Sequence, residues 1–388
     1  MKKLQAMSLI ALVAAALVGW SMRPAGEKRL EDINLYVFVP SKAAPEVTVI
    51  DTRSDRVVTV LKLGQTPDQV LVSEAAHRLV ASNVSNKSIS IVNPDTGETE
   101  KVITLAIRPE RMVLSPDGWL VAARDLATGS VSVMSLQRQS QLTQVDGFKE
   151  PYGLTFSNDS LYVADRGTGK VSTISLVQGK VIGQIAVAEA ARAAAKGDRP
   201  GGSYGISELT HTPNGRLGFC ALRGGRELAV IDLINEKKIK TLAVGWDPSR
   251  PWGTADGRLM MVANNGDRTI SVIDTGALEV VATLPGAADV SAINTGWFES
   301  VAFVISRSEN KAVVLDLMKL KKVGEIPLLS EPGPGVVTPD GKKLYVALRG
   351  SNRVAVIDTR ERKVTSMISG VGHEPSDATM ARSNNYCH

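Results

Sequence analysis

Three features of this 388-residue sequence predict an all-β fold, an eight-bladed β-propeller built from four-stranded antiparallel blades. A unit of about 42 residues recurs from Leu35 onward, each copy holds four short strand-like runs, and Asp-Gly turn signals fall at fixed places within it. One four-stranded sheet cannot bury both of its faces, so copies stacked around a ring must supply one another's core.

The chain begins with Lys2 and Lys3, an apolar run from Met7 to Trp20 and a polar stretch from Ser21 to Asp32. That order describes a secretory signal peptide better than a spanning helix, which needs about 20 apolar residues. Arg23-Pro24-Ala25 spoils a small-x-small cleavage pattern, so residues 1–25 read either as a cleaved signal or as an uncleaved N-terminal anchor. The expected location is periplasmic or secreted, with no integral membrane span beyond that anchor. The propeller itself is assigned to residues 34–388, with one insertion at 188–204. The insertion opens as an Ala-rich helical stretch and is ended by Gly197 and Pro200.

Within each unit, a strand ending in Asp is followed by a turn: VTVIDT before Arg53, ELAVIDL before Ile234, TISVIDTG before Ala277 and RVAVIDT before Arg360. A second strand follows, then a Pro-containing loop and an apolar strand closed by a tight turn, as in RPERMVLSPDG and EPGPGVVTPDG. The fourth strand is LVAAR, LYVADR, LMMVANN or LYVALR. The segments LYVADRGTGKVSTIS and LYVALRGSNRVAVIDT resemble the YVTN family of WD-like β-propeller repeats, and the resemblance covers nearly everything after Asp32. It implies the fold and is nearly silent about function.

The loop proline or its equivalent recurs at Pro67, Pro109, Pro151, Ile206, Pro248, Asp289, Pro332 and Pro375, which gives eight inner strands. The last of them has no partner strand after it, and the N-terminal LYVFVPS has no inner strand before it. Joining the two ends completes the eighth blade without a covalent link and removes exposed strand edges. Seven blades plus an irregular segment is the competing count. Cys220 and Cys387 fall across the ring from one another, too far for a disulfide, and Cys220 reads as a small core residue.

Because strand direction alternates, the loops entering the inner strands share one face with the loops leaving the LYVA-type strands. The entering loops bring Arg108, Arg111, Glu150, Tyr152, Glu208, Trp246, Asp247, Arg250, Trp252, His373, Glu374 and Asp377 to that face. The leaving loops add Arg124, Arg166, Arg223, Arg307 and Arg349. Guanidinium groups suit carboxylates and phosphates; the plainer expectation is that each pairs with a nearby acid of its own blade, as Arg166 with the neighbours of Asp165 or Arg250 with Asp247. Arg111 and Arg250 stand two residues after the loop proline, where Gln69, Glu208 and Asp377 stand in other blades, so polar groups of both signs are expected around the central funnel.

Three further features bear on chemistry. The terminal Cys387-His388 offers two adjacent metal ligands, as if a c-type haem motif lacked its first Cys, but covalent haem attachment is unsupported. His373, with Glu374 and Asp377, stands at the mouth. Eight blades and an exported chain are similar to the haem-binding domain of cytochrome-type nitrite reductases and to tetrapyrrole-binding proteins of that pathway, which implies a macrocycle or an axial imidazole there. Trp246 and Trp252 in GWDPSRPWG flank Asp247 and Arg250, and can stack a planar ligand or pack between blades.

Lys and Arg number 45 against 40 Asp and Glu, a net +5 too dilute for nucleic-acid binding. No HExxH, GxSxG, P-loop or paired CxxC occurs. The expected function is therefore a binding or scaffolding protein that takes a protein partner or a small polar ligand at the central funnel, with its cofactor, if any, unknown. The alternative is a cofactor-handling or redox protein of the quinoprotein or tetrapyrrole-binding type.

Overall fold

The computed structural model describes residues 30, 32–157, 159–188 and 205–382. Seven four-stranded antiparallel sheets follow one another along the chain, each in simple sequence order, after a three-stranded sheet of Tyr36–Pro40, Glu46–Asp51 and Arg56–Lys62. Residues 375–379 run along the open edge of Tyr36–Pro40, bridging Phe38 to Thr379 and Ser41 to Pro375. The Phe38 N–H donates to the Thr379 carbonyl at 2.8 Å, and the Ser376 N–H to the Pro40 carbonyl at 3.0 Å. The ends of the chain thus complete an eighth blade, and the count is eight, not seven.

Blades are numbered here from their inner strands. These are Gln69–Ser73, Arg111–Leu114, Pro151–Ser157, Gly205–His211, Pro248–Gly253, Val290–Gly296 and Pro332–Val337, with residues 375–379 as the eighth.

Burial follows position within the blade. The third strands are buried on both faces, as in Glu46–Asp51 and Ser130–Ser135, because each face packs on a neighbouring blade. The outermost strands alternate instead; in Glu279–Pro285 every other residue is exposed. Eight apolar clusters lie between successive blades, one for each interface of the ring. The closing interface is built like the others: Val37, Val39 and Ile50 meet Val336, Tyr345 and Val356. Lys343 Nζ also reaches Asp55 there at 2.9 Å, and the Tyr345 hydroxyl donates to the same carboxylate.

The turns explain the recurring Asp and Thr. Asp51, Asp232, Asp274 and Asp316 each end a third strand and accept backbone N–H groups of the residues two and three further on. In the Asp-Gly turns the glycine takes a left-handed conformation, φ +72° at Gly257 and +71° at Gly341, which a side chain would strain. Thr275 and Thr359, from the Ile-Asp-Thr segments, donate to the carbonyls of those same two glycines. That bond ties two hairpins of one blade together on the face opposite the candidate site.

Cys220 is fully buried, with its thiol against the Ser207 carbonyl at 3.4 Å. Burial pushes the thiol up to about 12, which fits its role as a small core residue. Its expected separation from Cys387 falls partly outside the described residues, as does the insertion expected at 188–204, of which only Ala188 is described. The expected N-terminal signal or anchor, residues 1–25, also lies outside them. Among the described residues no helix is long and apolar enough to cross a membrane.

Candidate functional site: the mouth of the central channel

The eight inner strands surround a channel, and side chains two residues after the loop proline point toward it. A cavity of about 390 Å³ opens there, lined by Gln69, Arg111, Tyr152, Glu208, Arg223, Arg250, Trp252, Asp289 and Asp377 among others. A second cavity of about 830 Å³ follows along the axis, sharing Leu71 and Thr379 with the first. It opens among the Asp-Gly turns and is more apolar, with Val113, Phe156, His211 and Met380 in its wall.

Glu208 of blade 4 organises the mouth. Its Oε2 lies 3.5 Å from Arg111 Nη2 of blade 2 and 3.2 Å from Arg250 Nη1 of blade 5. Reaching blade 2 requires passing blade 3, and Gly153 allows it: a Cβ there would lie 2.7 Å from the Glu208 Cα. Burial pushes the Glu208 carboxyl up, but Arg111, Arg250, Arg124 and Arg166 overcome this and hold it below its ordinary range. One carboxylate therefore sits between two guanidinium groups, leaving the trio with a net positive charge.

Across the ring, four blades from Glu208, stands Asp377. Burial raises its carboxyl to about 6, against the opposing pull of the Ala378 N–H, Arg111 and Lys42. Its Oδ1 accepts the Ala378 N–H at 2.8 Å. Among the described residues, no Lys, Arg or His nitrogen lies within ion-pair distance of it. Asp289 also lines the wall and makes no ion pair among the described residues, whereas other polar groups there are engaged between blades. Gln69 clamps blade 1 to blade 2 by bonding both the N–H and the carbonyl of Met112. Asn294 donates to the Gly335 carbonyl at 2.8 Å across the interface between blades 6 and 7.

Of the five arginines of the leaving loops, two pair within their own blade as the plainer expectation had it, and three do not among the described residues. Arg124 pairs with Glu110 at 3.2 Å and donates to the Tyr152 carbonyl. Arg166 pairs with Glu150 at 3.1 Å, and its guanidinium carbon lies over the Tyr152 ring, 3.4 Å from the centroid. Arg223 pairs with Asp247, and Arg349 with Glu374. The first two use an acid of their own blade; the last two reach into the next. Arg108 contacts Asp125 and Glu110 at 3.6 and 3.5 Å, and Arg307 is exposed on the rim. Arg250, expected beside Asp247, pairs with Glu208 instead.

His373 is exposed and away from the channel lining, with its carbonyl accepting the Ser41 hydroxyl at 2.6 Å. The two tryptophans part company. Trp246 lies on the rim beneath the Arg226 guanidinium, 5.6 Å from the ring centroid. Trp252 lines the mouth while packing on the apolar cluster between blades 5 and 6. Cys387 and His388 lie outside the described residues, and among those described no group of three His, Cys, Asp or Glu side chains could hold a metal. Sequence reasoning missed Ser291, Asn265 and Asn294 as channel-lining groups. Ser291 occupies the same repeat position as Arg111 and was within reach of the spacing argument; the two asparagines are not.

The family model of YNCE-like β-propellers matches residues 71–381, and the chain belongs to that family. It is 31% identical over 129 residues to the seven-bladed β-propeller protein Rv1057 of Mycobacterium tuberculosis, covering 32% of this chain and 33% of that protein. The chain thus spans about a third of the length of the curated relative it matches. Among solved structures, dihydro-heme d1 dehydrogenase NirN in complex with DHE is similar, with TM-score 0.72 and 13% identity over 93% of this chain and 78% of that one. Apo AztD from Citrobacter koseri gives 0.66 at 16% identity, over 89% of this chain and 96% of that one. Hydrazine synthase of Kuenenia stuttgartiensis gives 0.56 at 21%, over 76% and 95%. At these identities the structures share the fold.

Proposed function

We propose that this YNCE-like β-propeller is an exported binding protein that takes a small polar, anion-bearing ligand at the mouth of its central channel. The observation that carries the reading is the Arg111–Glu208–Arg250 trio, two cations on one carboxylate at the wall of a 390 Å³ cavity. The volume is in the range of small-molecule pockets, about 300–1,000 Å³. Guanidinium groups held on rigid inner strands lose little freedom on meeting a carboxylate or phosphate, which favours binding. Export rests on the Lys2-Lys3 start and the apolar run that follows.

Titration calorimetry with acetate, succinate and inorganic phosphate tests the site on wild type, Arg111→Ala, Arg250→Ala and the opposite-face variant Asp256→Asn. Binding weakened at least tenfold by both Arg substitutions, and unchanged by Asp256→Asn, supports the reading. Binding indifferent to both Arg substitutions overturns it. A stoichiometric visible chromophore in the purified protein would instead favour tetrapyrrole or quinone handling, which otherwise draws only on likeness of fold to the haem d1 dehydrogenase.

A further inference from the structure

The channel mouth is electrically two-sided. Arg111, Glu208 and Arg250 occupy blades 2, 4 and 5, and together carry one positive charge. Asp377 belongs to blade 8, diametrically opposite Glu208 in a ring of eight. Next to it in the ring, blade 7 presents Pro334 at the equivalent position, and blade 6 contributes Asp289, whose side chain likewise makes no ion pair among the described residues. Asp377 and Asp289 thus make no ion pair among the described residues, Lys42 and Arg111 acting on Asp377 only from beyond that distance, while Arg111 and Arg250 share the single carboxylate of Glu208.

Resting on the channel-mouth reading above, we infer that the preferred ligand class is a small zwitterion, its anionic group on Arg111 and Arg250 and its cationic group on Asp377 across the axis. A simple anion satisfies one wall and leaves the opposite carboxylate buried beside it, at a cost in repulsion and desolvation. A simple amine meets the converse problem. A molecule with both groups neutralises both walls at once, and the rigid inner strands fix the separation it must span. Selectivity then comes from mismatch as much as from attraction, since each half-ligand leaves one wall uncompensated.

The test uses the full chain and ω-amino acids from glycine to 6-aminohexanoate, each beside the carboxylic acid and the amine of the same chain length. Calorimetry at pH 7.5 is expected to show at least one amino acid binding tenfold or more tighter than both of its half-ligands. In Asp377→Asn that advantage over the acid is expected to fall below about twofold, with the acid's own affinity kept or raised because the repelling carboxylate is gone. In Arg111→Ala both acid and amino acid are expected to weaken tenfold. Acids that bind as tightly as the matching amino acids in wild type overturn the zwitterion inference and leave the anion-binding reading standing. An amino-acid advantage that survives Asp377→Asn also overturns it. No binding by any probe overturns both.

Discussion

Replacing Asp377 by Asn isolates the cost of placing a carboxylate at the channel wall. Asparagine has the same shape and can still accept the Ala378 N–H, so little changes except the charge. The wild-type carboxyl is raised from 3.8 to about 6 by burial, against the Ala378 N–H and against Arg111 and Lys42, which act on it with opposite charge; Asp289 stands on the same cavity wall. At about 1.4 kcal/mol per pH unit, that gap puts the full cost of ionising Asp377 near 3 kcal/mol. Water in the open channel screens part of it, and about 1–2 kcal/mol is expected. The sign follows from linkage: between pH 3.8 and 6 the native protein holds a proton that the unfolded chain has lost, so native stability falls as pH rises through this window. Asp377→Asn should match wild type near pH 4 and exceed it by the full amount above pH 7. Urea midpoints of both proteins at half-unit intervals from pH 4.5 to 8 give the difference curve. A difference that is flat with pH, or that favours wild type at pH 7.5, would refute the account of this carboxylate.

Other perturbations read other parts of the structure. Gly153→Ala places a methyl group 2.7 Å from the Glu208 Cα, a backbone atom that cannot swing aside; a loss of about 1–3 kcal/mol is expected, with weaker anion binding, and a neutral result in both would show that Glu208 does not depend on that gap. Phe38→Ala empties a fully buried position in the strand that receives the C-terminal segment, and should cost about 3–5 kcal/mol in chemical denaturation. Truncation after Gly372 removes the inner strand of blade 8, and retention of the wild-type Tm would contradict non-covalent closure of the ring. Cys220 should resist a maleimide in the native protein and react in urea; mass spectrometry showing rapid native labelling at that site would argue against its burial.

The division between what the sequence revealed and what it did not follows the range of the forces involved. Blade number, strand order and closure were legible because each is written locally: alternation defines a strand, Asp with a glycine defines its turn, and the repeat fixes where the next one comes. Even the Asp and Thr of Ile-Asp-Thr act within a few residues or on the adjoining hairpin. The face carrying the site, and the approach of Arg111, Glu208, Arg250 and Asp377 to the axis, follow from the same periodicity. Pairing was not legible. Arg250 has Asp247 three residues away, yet its partner is Glu208 of the preceding blade. Arg223 crosses to Asp247 of the next blade, whereas Arg124 and Arg166 stay at home. Such choices depend on which wall leaves room for a long side chain, and that room is made by residues with no charge, above all Gly153. Trp246 shows the same limit, since Arg226 from the neighbouring blade covers it and no spacing rule would join the two. The chemistry of the mouth is thus decided between blades, where a single unit of the repeat carries no record of its neighbours. It follows that a change in a small residue of one blade can rewire charges contributed by two others, so the specificity of this site should be sought in the gaps as well as in the arginines.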